Sequence, residues 1–260
     1  MKIVILAGGF PSTISDGNIG IPKPMAEIGE QPILWHIMKH FSSYGFNEFI
    51  ICGGYKVDML KEYFKDFYIY QSDITVDLKS NTIEIHKKVT EDWKVSVVDT
   101  GIHSSTARRV SLIEKYIEEE DFIVTYGDCL SDVNPTDMVE YHREHGKIVT
   151  MMVANPTGRN STLEIDGEGN YKGNRISDLT NQSWVNACTY VMNRRAFGYL
   201  LGNYPIEQQF LSSMIERNQV ITYKHGGFWS PIETKRDKQQ LENDWIAGCA
   251  PWKSWEDMGE

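Results

Sequence analysis

Four consecutive apolar residues, Ile3-Val4-Ile5-Leu6, run almost directly into Gly8-Gly9 near the head of the chain. A half-buried strand alternates apolar and polar residues. A strand without alternation is buried on both faces, as in a parallel sheet covered by helices on each side. The chain carries the helices to do so. After Pro32, the residues Ile33, Leu34, Ile37, Met38 and Phe41 recur at helical spacing up to Gly45. Proline at the start and glycine past the end mark the two limits. The pattern then predicts a strand over Glu48–Cys52 followed by Gly53-Gly54, and a helix over Lys56–Phe67. A helix near Thr106–Glu119 leads into the strand "DFIVTYGD", and one over Thr136–His145 leads into "KIVTMMVA". Strand, helix and strand with short links define an α/β fold: a doubly wound, mostly parallel sheet. Between Ile74 and Val98 the period falls to two ("ITVDL", "TIEIHKK", "KVSVV"), the pattern of short antiparallel strands inserted into the run. Nothing resembles a linker, so residues 1–260 are read as one domain. Its core covers about 1–150, its β insertion about 72–99 and a second region about 151–260.

Composition narrows the partners. A formal net charge of −10 argues against nucleic acid or an anionic membrane as the main partner, while leaving room for a small anion held by local cations and backbone amides. No apolar run approaches membrane-spanning length, and the N-terminus reads as a strand rather than a signal peptide. Four cysteines, Cys52, Cys129, Cys188 and Cys249, show no CxxC spacing and read as reduced thiols of a cytoplasmic protein.

In an open parallel sheet, ligands sit beyond the carboxyl ends of the strands. Those positions hold Gly8-Gly9 and the loop to Lys23, which is clamped between Pro22 and Pro24; then Gly53-Gly54; then Gly127-Asp128. Glycines let backbone N–H groups approach a phosphate, and an acidic residue at a strand end can hold Mg²⁺. Each feature also has a plain reading: a turn, a surface lysine, a helix cap. The spacing is neither GxGxxG nor the P-loop. His36 and His40, four residues apart, read as core histidines rather than a metal pair, and "EKYIEEED" as a solvated helix end. Trp252 and Trp255 suggest a docked C-terminus. The residues by themselves point to an α/β protein that binds a phosphorylated small molecule.

The stretches "KIVILAGGF", "PKPMAEIGEQPILWHIMKHF", "WKVSVVDTG", "FIVTYGDCLSD", "HGGFWSPIETKRDK" and "APWKSWE" resemble the sugar-phosphate nucleotidyltransferases nearly end to end, and within them the glucose-1-phosphate cytidylyltransferases. The resemblance implies in-line attack of a substrate phosphate on the α-phosphorus of a nucleoside triphosphate, with Mg²⁺ and release of pyrophosphate. It implies catalytic roles for Lys23 and Asp128, and a metal site of Asp128 and Glu233. It implies nucleotide binding by Leu6, Ala7, Gly8, Gly9, Ser12, Thr13, Lys23, Gly54, Thr106, Gly127 and Asp128. Arg108, Arg159, Arg175 and Asn186 become acceptor-side candidates in the region after about residue 150 and on the helix before it. The expected enzyme uses CTP and a phosphorylated acceptor in the cytoplasm, as a homo-oligomer serving surface-polysaccharide synthesis, without nucleic acid or membrane.

The departures fall on the site loops. Relatives read GGxGTRL after the first strand; here "GGFPSTIS" puts Pro11 at a glycine and Thr13 at the arginine. A Gly-Gly before Arg109 has become Ala107-Arg108, a sugar-side glycine is Ser161, and Asn-Gly-Gly reads Asn186-Ala187-Cys188. No Glu-Lys-Pro occurs around "GNRISDLTNQSW". The expected acceptor is therefore not glucose 1-phosphate but another sugar phosphate or a phosphorylated amino-acid amide. A conventional glucose-1-phosphate enzyme and a degenerate nucleotide-binding relative are the competing readings.

Overall fold

The computed structural model describes residues 1–10, 20–87, 91–155, 162–175 and 184–256. Its centre is a sheet of β1 (Lys2–Leu6), β2 (Glu48–Gly53), β5 (Lys94–Asp99), β6 (Asp121–Tyr126), β8 (Val149–Ala154), β11 (Val185–Asn193) and β12 (Val220–His225). The order across the sheet is β12-β8-β11-β6-β1-β2-β5. β1 pairs parallel with β2 and β6, β2 with β5, and β8 with β12; β11 runs antiparallel to both β6 and β8. The mostly parallel α/β architecture expected from the sequence is the one present.

The apolar run of β1 has the predicted cause. Ile3 and Ile5 enter one core layer, which includes Ile33, Ile37 and Met38 of α1 (Ile33–Ser43) and Leu241 of α6 (Lys235–Ile246). Val4 and Leu6 enter the opposite layer with Ala107 and Val110 of α3 (Thr106–Leu112). Successive side chains of a strand point to opposite faces, so a strand covered on both sides has no polar positions to spare. The remaining helices are α2 (Val57–Tyr70), α4 (Pro135–His145) and α5 (Leu211–Glu216). Asn134 caps α4 by accepting from the Thr136 and Asp137 N–H groups, and Gly146 ends it at φ 63°.

Two expectations need correction. Only part of the period-two segment is an antiparallel insertion: β3 (Asp73–Asp77) and β4 (Thr82–Lys87) form an isolated hairpin, whereas Lys94–Asp99 joins the main sheet parallel to β2. As an edge strand, β5 is only half-buried along its length, and it therefore shows the alternation of a one-sided strand. The helix predicted to Glu119 ends at Leu112, because Ile113 leaves helical geometry and a 3₁₀ turn follows over Glu114–Tyr116. Small antiparallel ladders complete the fold: β7 (Cys129–Ser131) with β13 (Trp229–Pro231), and β9 (Thr162–Ile165) with β10 (Tyr171–Arg175).

The C-terminal segment docks on its own chain. Trp252 is fully buried, and its Nε1 donates to His36 Nδ1 at 3.3 Å. His36 Nε2 in turn donates to the Ile28 carbonyl at 2.8 Å, and His40 Nε2 to the Val133 carbonyl at 2.8 Å. Burial pushes the pKa of both imidazoles down to about 4, so they are neutral core residues at neutral pH. Among the described residues, no helix is long and apolar enough to cross a membrane.

Candidate active site

The chain leaves β1 at Leu6 and turns through Ala7, Gly8 and Gly9 along one wall of a cavity of about 330 Å³. Lys23 and Pro24 reach the same cavity from a 3₁₀ turn, Thr106 and Arg109 from α3, and Tyr126 and Asp128 from the end of β6. The position is the one the parallel sheet dictates, beyond the carboxyl ends of β1 and β6.

Lys23 and Asp128 face each other there. Lys23 Nζ lies 2.9 Å from Asp128 Oδ2, and the two side chains are 21% and 24% exposed. That accessibility leaves both open to a ligand. Pro22 holds φ at −56°, while Pro24 is buried against Gly127. A Cβ on Gly127 would come within 2.8 Å of Pro24 Cγ. The proline clamp and Gly127 therefore set where the lysine's backbone lies relative to Asp128.

Arg109 organises the floor. It is 3% exposed, and its fork spans three strand ends. Nη2 donates to the Gly8 carbonyl at 2.8 Å. Nη1 donates to the Gly53 carbonyl at 3.0 Å, Thr100 Oγ1 at 2.6 Å and the Gly101 carbonyl at 3.0 Å. Every acceptor is neutral, so the cation is held without a carboxylate partner in this hydrogen-bond set. Burial lowers its pKa from the ordinary arginine value, while the nearby Asp99 carboxylate acts the other way. The glycines belong to this arrangement. A Cβ at Gly8 would overlap the guanidinium, and one at Gly54 would stand 2.5 Å from Arg109 Nη1 and 2.8 Å from the Gly8 carbonyl. Gly9 differs: among the described residues nothing lies within 4 Å of the Cβ it lacks.

Glu233 follows a strand paired to the one after Asp128. Pro231 is in register with Cys129, and Ile232 N–H donates to the Asp128 carbonyl at 2.8 Å. The N–H groups of Glu233 and Thr234 both donate to Asp237 Oδ2, within the capping box that opens α6. The Glu233 backbone is thus fixed while its side chain stays exposed. Asp128 and Glu233 thus stand at neighbouring strand ends, and of the two it is Asp128 that lines the cavity. Among the described residues there is no cluster of three His, Cys, Asp or Glu side chains that would instead make a closed metal cage.

Of the residues singled out in the sequence, Leu6, Ala7, Gly8, Gly9, Lys23, Thr106 and Asp128 line one cavity. Gly54 and Gly127 lie directly behind it, within contact of Gly8 and of Leu6. Arg108 is on the exposed face of α3, and Lys235 is in the first turn of α6. Asn186 stands beside Tyr190 and Glu207. Arg175 ends β10, where its backbone is in register with Thr162. Ser12, Thr13 and Arg159 lie outside the described residues. Sequence reasoning missed Arg109 as the buried member of the Arg108-Arg109 pair. The signal was available: Ala107, Val110 and Ile113 set the buried stripe, and Arg109 is about 100° from Val110 on a helix whereas Arg108 is about 200° away.

Comparison with known proteins identifies the family. The family model described as nucleotidyl transferase matches residues 2–260. The chain is 38% identical over 258 residues to a glucose-1-phosphate cytidylyltransferase of Salmonella typhi, covering 98% of this chain and 100% of that protein. It is 34% identical over 258 residues to a probable glucose-1-phosphate cytidylyltransferase of Bacillus subtilis strain 168, with the same coverage of 98% and 100%. Among solved structures, HddC from Yersinia pseudotuberculosis complexed with GMP-PN superposes with a TM-score of 0.73 at 20% identity, covering 94% of this chain and 99% of that one, which is a likeness of fold. An end-to-end match to the family and to relatives above a third identical, on a sheet whose strand ends carry the Lys23–Asp128 pair, leaves one assignment: the chain belongs to the sugar-phosphate nucleotidyltransferases of the nucleotidyl transferase family.

Proposed function

We propose that this enzyme transfers CMP from CTP to the phosphate of a small acceptor other than glucose 1-phosphate, releasing pyrophosphate. The observation that carries the reading is the partly exposed Lys23–Asp128 pair facing the Gly8-Gly9 wall. The acceptor phosphate is already an anion and needs no strong base. The protein's task is to align it with the α-phosphorus and to offset the charge gathered there. Lys23 Nζ is the mobile cation at that point, released from Asp128 as phosphate enters. Arg109 adds a fixed positive charge beneath the glycine loop. Gly9, which lines the cavity and carries no side chain, lets backbone N–H groups approach phosphate oxygens. Asp128 and Glu233 are the residues that would hold Mg²⁺, which supplies charge neutralisation at the phosphates when bound. CTP rests on the likeness to cytidylyltransferases. The cytoplasmic, homo-oligomeric and surface-polysaccharide parts of the reading rest on family likeness in the same way.

The acceptor argument comes from the loops, where Thr13 replaces a cation and no Glu-Lys-Pro is present. Two lost charged contacts at about 1.5–3 kcal/mol each would lower the rate with glucose 1-phosphate by about two to four orders of magnitude. A second reading, a conventional glucose-1-phosphate cytidylyltransferase, is favoured by the 38% identity to such an enzyme over the whole of its length. Pyrophosphate release separates the two. The assay uses CTP and Mg²⁺ with glucose 1-phosphate, other sugar phosphates and phosphorylated amino-acid amides. A kcat/KM for glucose 1-phosphate above roughly 10⁴ M⁻¹s⁻¹ selects the second reading. Stronger thermal stabilisation by UTP or ATP than by CTP would overturn the choice of nucleotide.

A further inference from the structure

Glu207 lies in the wide turn Ile206–Phe210, tied to the cavity wall by the Ile206 N–H, which donates to Thr106 Oγ1 at 2.8 Å. Three side chains converge on one oxygen of its carboxylate. Tyr126 Oη donates to Oε1 at 2.6 Å, Tyr190 Oη at 3.0 Å and Asn186 Nδ2 at 3.3 Å. The amide orientation of Asn186 is set by the Cys188 N–H, which donates to Oδ1 at 3.0 Å and leaves Nδ2 as the donor. Tyr126 and Tyr190 are rigid aromatic groups on neighbouring strands β6 and β11, so the carboxylate is held in one place.

The arrangement is half complete. All three donors use Oε1, and among the described residues no hydrogen bond reaches Oε2 and no cation lies within ion-pair distance of Glu207. Burial together with the Glu207 charge raises both tyrosine pKa values well above the ordinary one, which keeps the hydroxyls protonated as donors. Glu207 is half-buried, and its second oxygen is not among the buried atoms left without a partner, so Oε2 is open to solvent and to a ligand. Tyr126 also lines the cavity and leads through Gly127 to Asp128, so Glu207 stands one hydrogen bond behind the cavity wall.

We propose that Glu207 selects the acceptor: Oε2 receives a hydrogen bond from an O–H or N–H group carried beside the acceptor's phosphate. The class of acceptor is therefore a phosphomonoester with hydroxyl, ammonium or amide donors, and one lacking them is rejected. This rests on the reading that a phosphorylated acceptor occupies this region. Sites built to bind a donor discriminate strongly against analogues without it, because the site's own polar group is left unpaired.

The test is equilibrium binding to the full-length chain, with Mg²⁺ and a non-hydrolysable CTP analogue present. Three phosphates are compared: glucose 1-phosphate as the hydroxyl source, ethanolamine phosphate as the ammonium source, and choline phosphate, a cation with no N–H or O–H on its head group. At least one of the first two should bind wild type tenfold or more tighter than choline phosphate. Glu207→Gln should weaken that binding by roughly ten- to hundredfold and remove the preference, with affinity for the CTP analogue unchanged. Equal binding of all three phosphates to wild type overturns the proposal, as does a preference that survives in Glu207→Gln. The three-way comparison is made on the wild-type chain, so a variant that fails to fold does not remove the test. Pyrophosphate release measured separately with CTP reports on the transfer reaction itself, which keeps failure of that reading distinct from failure of this one.

Discussion

Replacing Arg109 by methionine should damage stability and nucleotide binding by separable amounts. The guanidinium makes four hydrogen bonds to neutral acceptors on three strand ends, at 2.6 to 3.0 Å. Charged hydrogen bonds are worth about 1.5–3 kcal/mol each, which would sum to far more than a single substitution costs. Two effects reduce the sum. The carbonyls of Gly8, Gly53 and Gly101 each keep a second donor, the N–H groups of Tyr55, Thr100 and Ser104 at 3.3, 3.0 and 3.3 Å. Removing an unpaired buried cation also returns its desolvation cost of several kcal/mol. The net loss is about 2–4 kcal/mol, or about 4–16 °C in Tm for a chain of this size. For CTP, a unit charge about 6 Å from a phosphate at an effective dielectric of about 20 contributes about 2.8 kcal/mol, so Kd should rise about a hundredfold. Arg109→Lys keeps the charge but not the fork. It should lose similar stability while recovering most of the CTP affinity. Thermal denaturation and CTP titration of both variants decide the matter. A methionine variant with Tm within 2 °C of wild type and Kd within twofold would refute the reasoning, and a lysine variant no better than methionine at binding CTP would show that charge is not what the floor contributes.

Lys23→Ala and Asp128→Ala should each lower turnover by about 10²–10³-fold, since each removes a group placed at the reacting phosphates, with Tm nearly unchanged because neither packs in the core; near-native rates in either variant reject the site assignment. Gly8→Ala should lower Tm by driving a methyl into the guanidinium, and combining it with Arg109→Met should cost less than the two losses added; strict additivity in the double-mutant cycle would show that the two do not clash. Acid should destabilise the fold through His36 and His40, whose folded pKa values of about 4 lie below the ordinary 6.5. Unfolding takes up their protons, so this stability is present above about pH 6.5 and lost as pH falls toward 4, at up to about 3 kcal/mol each. Urea denaturation from pH 7 to 4.5 measures it, and a His36→Gln chain with the same pH slope as wild type would remove His36 from the account.

What could be read in advance follows from how each element is buried. Ile3–Leu6 and the apolar face of α1 were legible because two-sided or one-sided burial leaves a direct imprint on the pattern. Lys94–Asp99 was misread because an edge strand of a parallel sheet is half exposed, and its alternation matches that of an antiparallel hairpin. Trp252 was visible as an aromatic in a tail, but its hydrogen bond to His36 spans 216 residues and has no local signal. Glu207 had none either. It sits in an irregular turn, and its partners Tyr126, Asn186 and Tyr190 are 81, 21 and 17 residues away. Lys23 and Asp128 could be named separately by their positions after strands, while the 2.9 Å contact between them depends on the packing of Pro24 against Gly127.

That contact bears on whether the altered loops belong to a working enzyme or to a binding protein that has lost its chemistry. Retained glycines do not separate the two cases. Gly8 and Gly54 are required by Arg109 whatever binds above them, since a Cβ at either position would strike the guanidinium. A non-catalytic relative with this fold would keep them to remain folded. Arg109 is no better a witness, because it ties together three strand ends. The Lys23–Asp128 pair is different. Both side chains are partly exposed, and the main sheet and its two core layers do not need them. An exposed ion pair contributes little to stability, about 0–1 kcal/mol, so the fold alone gives little reason to hold a lysine in a proline clamp opposite an aspartate at the end of β6. A reaction that brings two phosphates together gives that reason directly. Under the proposed function, the altered loops then bear on the acceptor rather than on the Lys23–Asp128 pair.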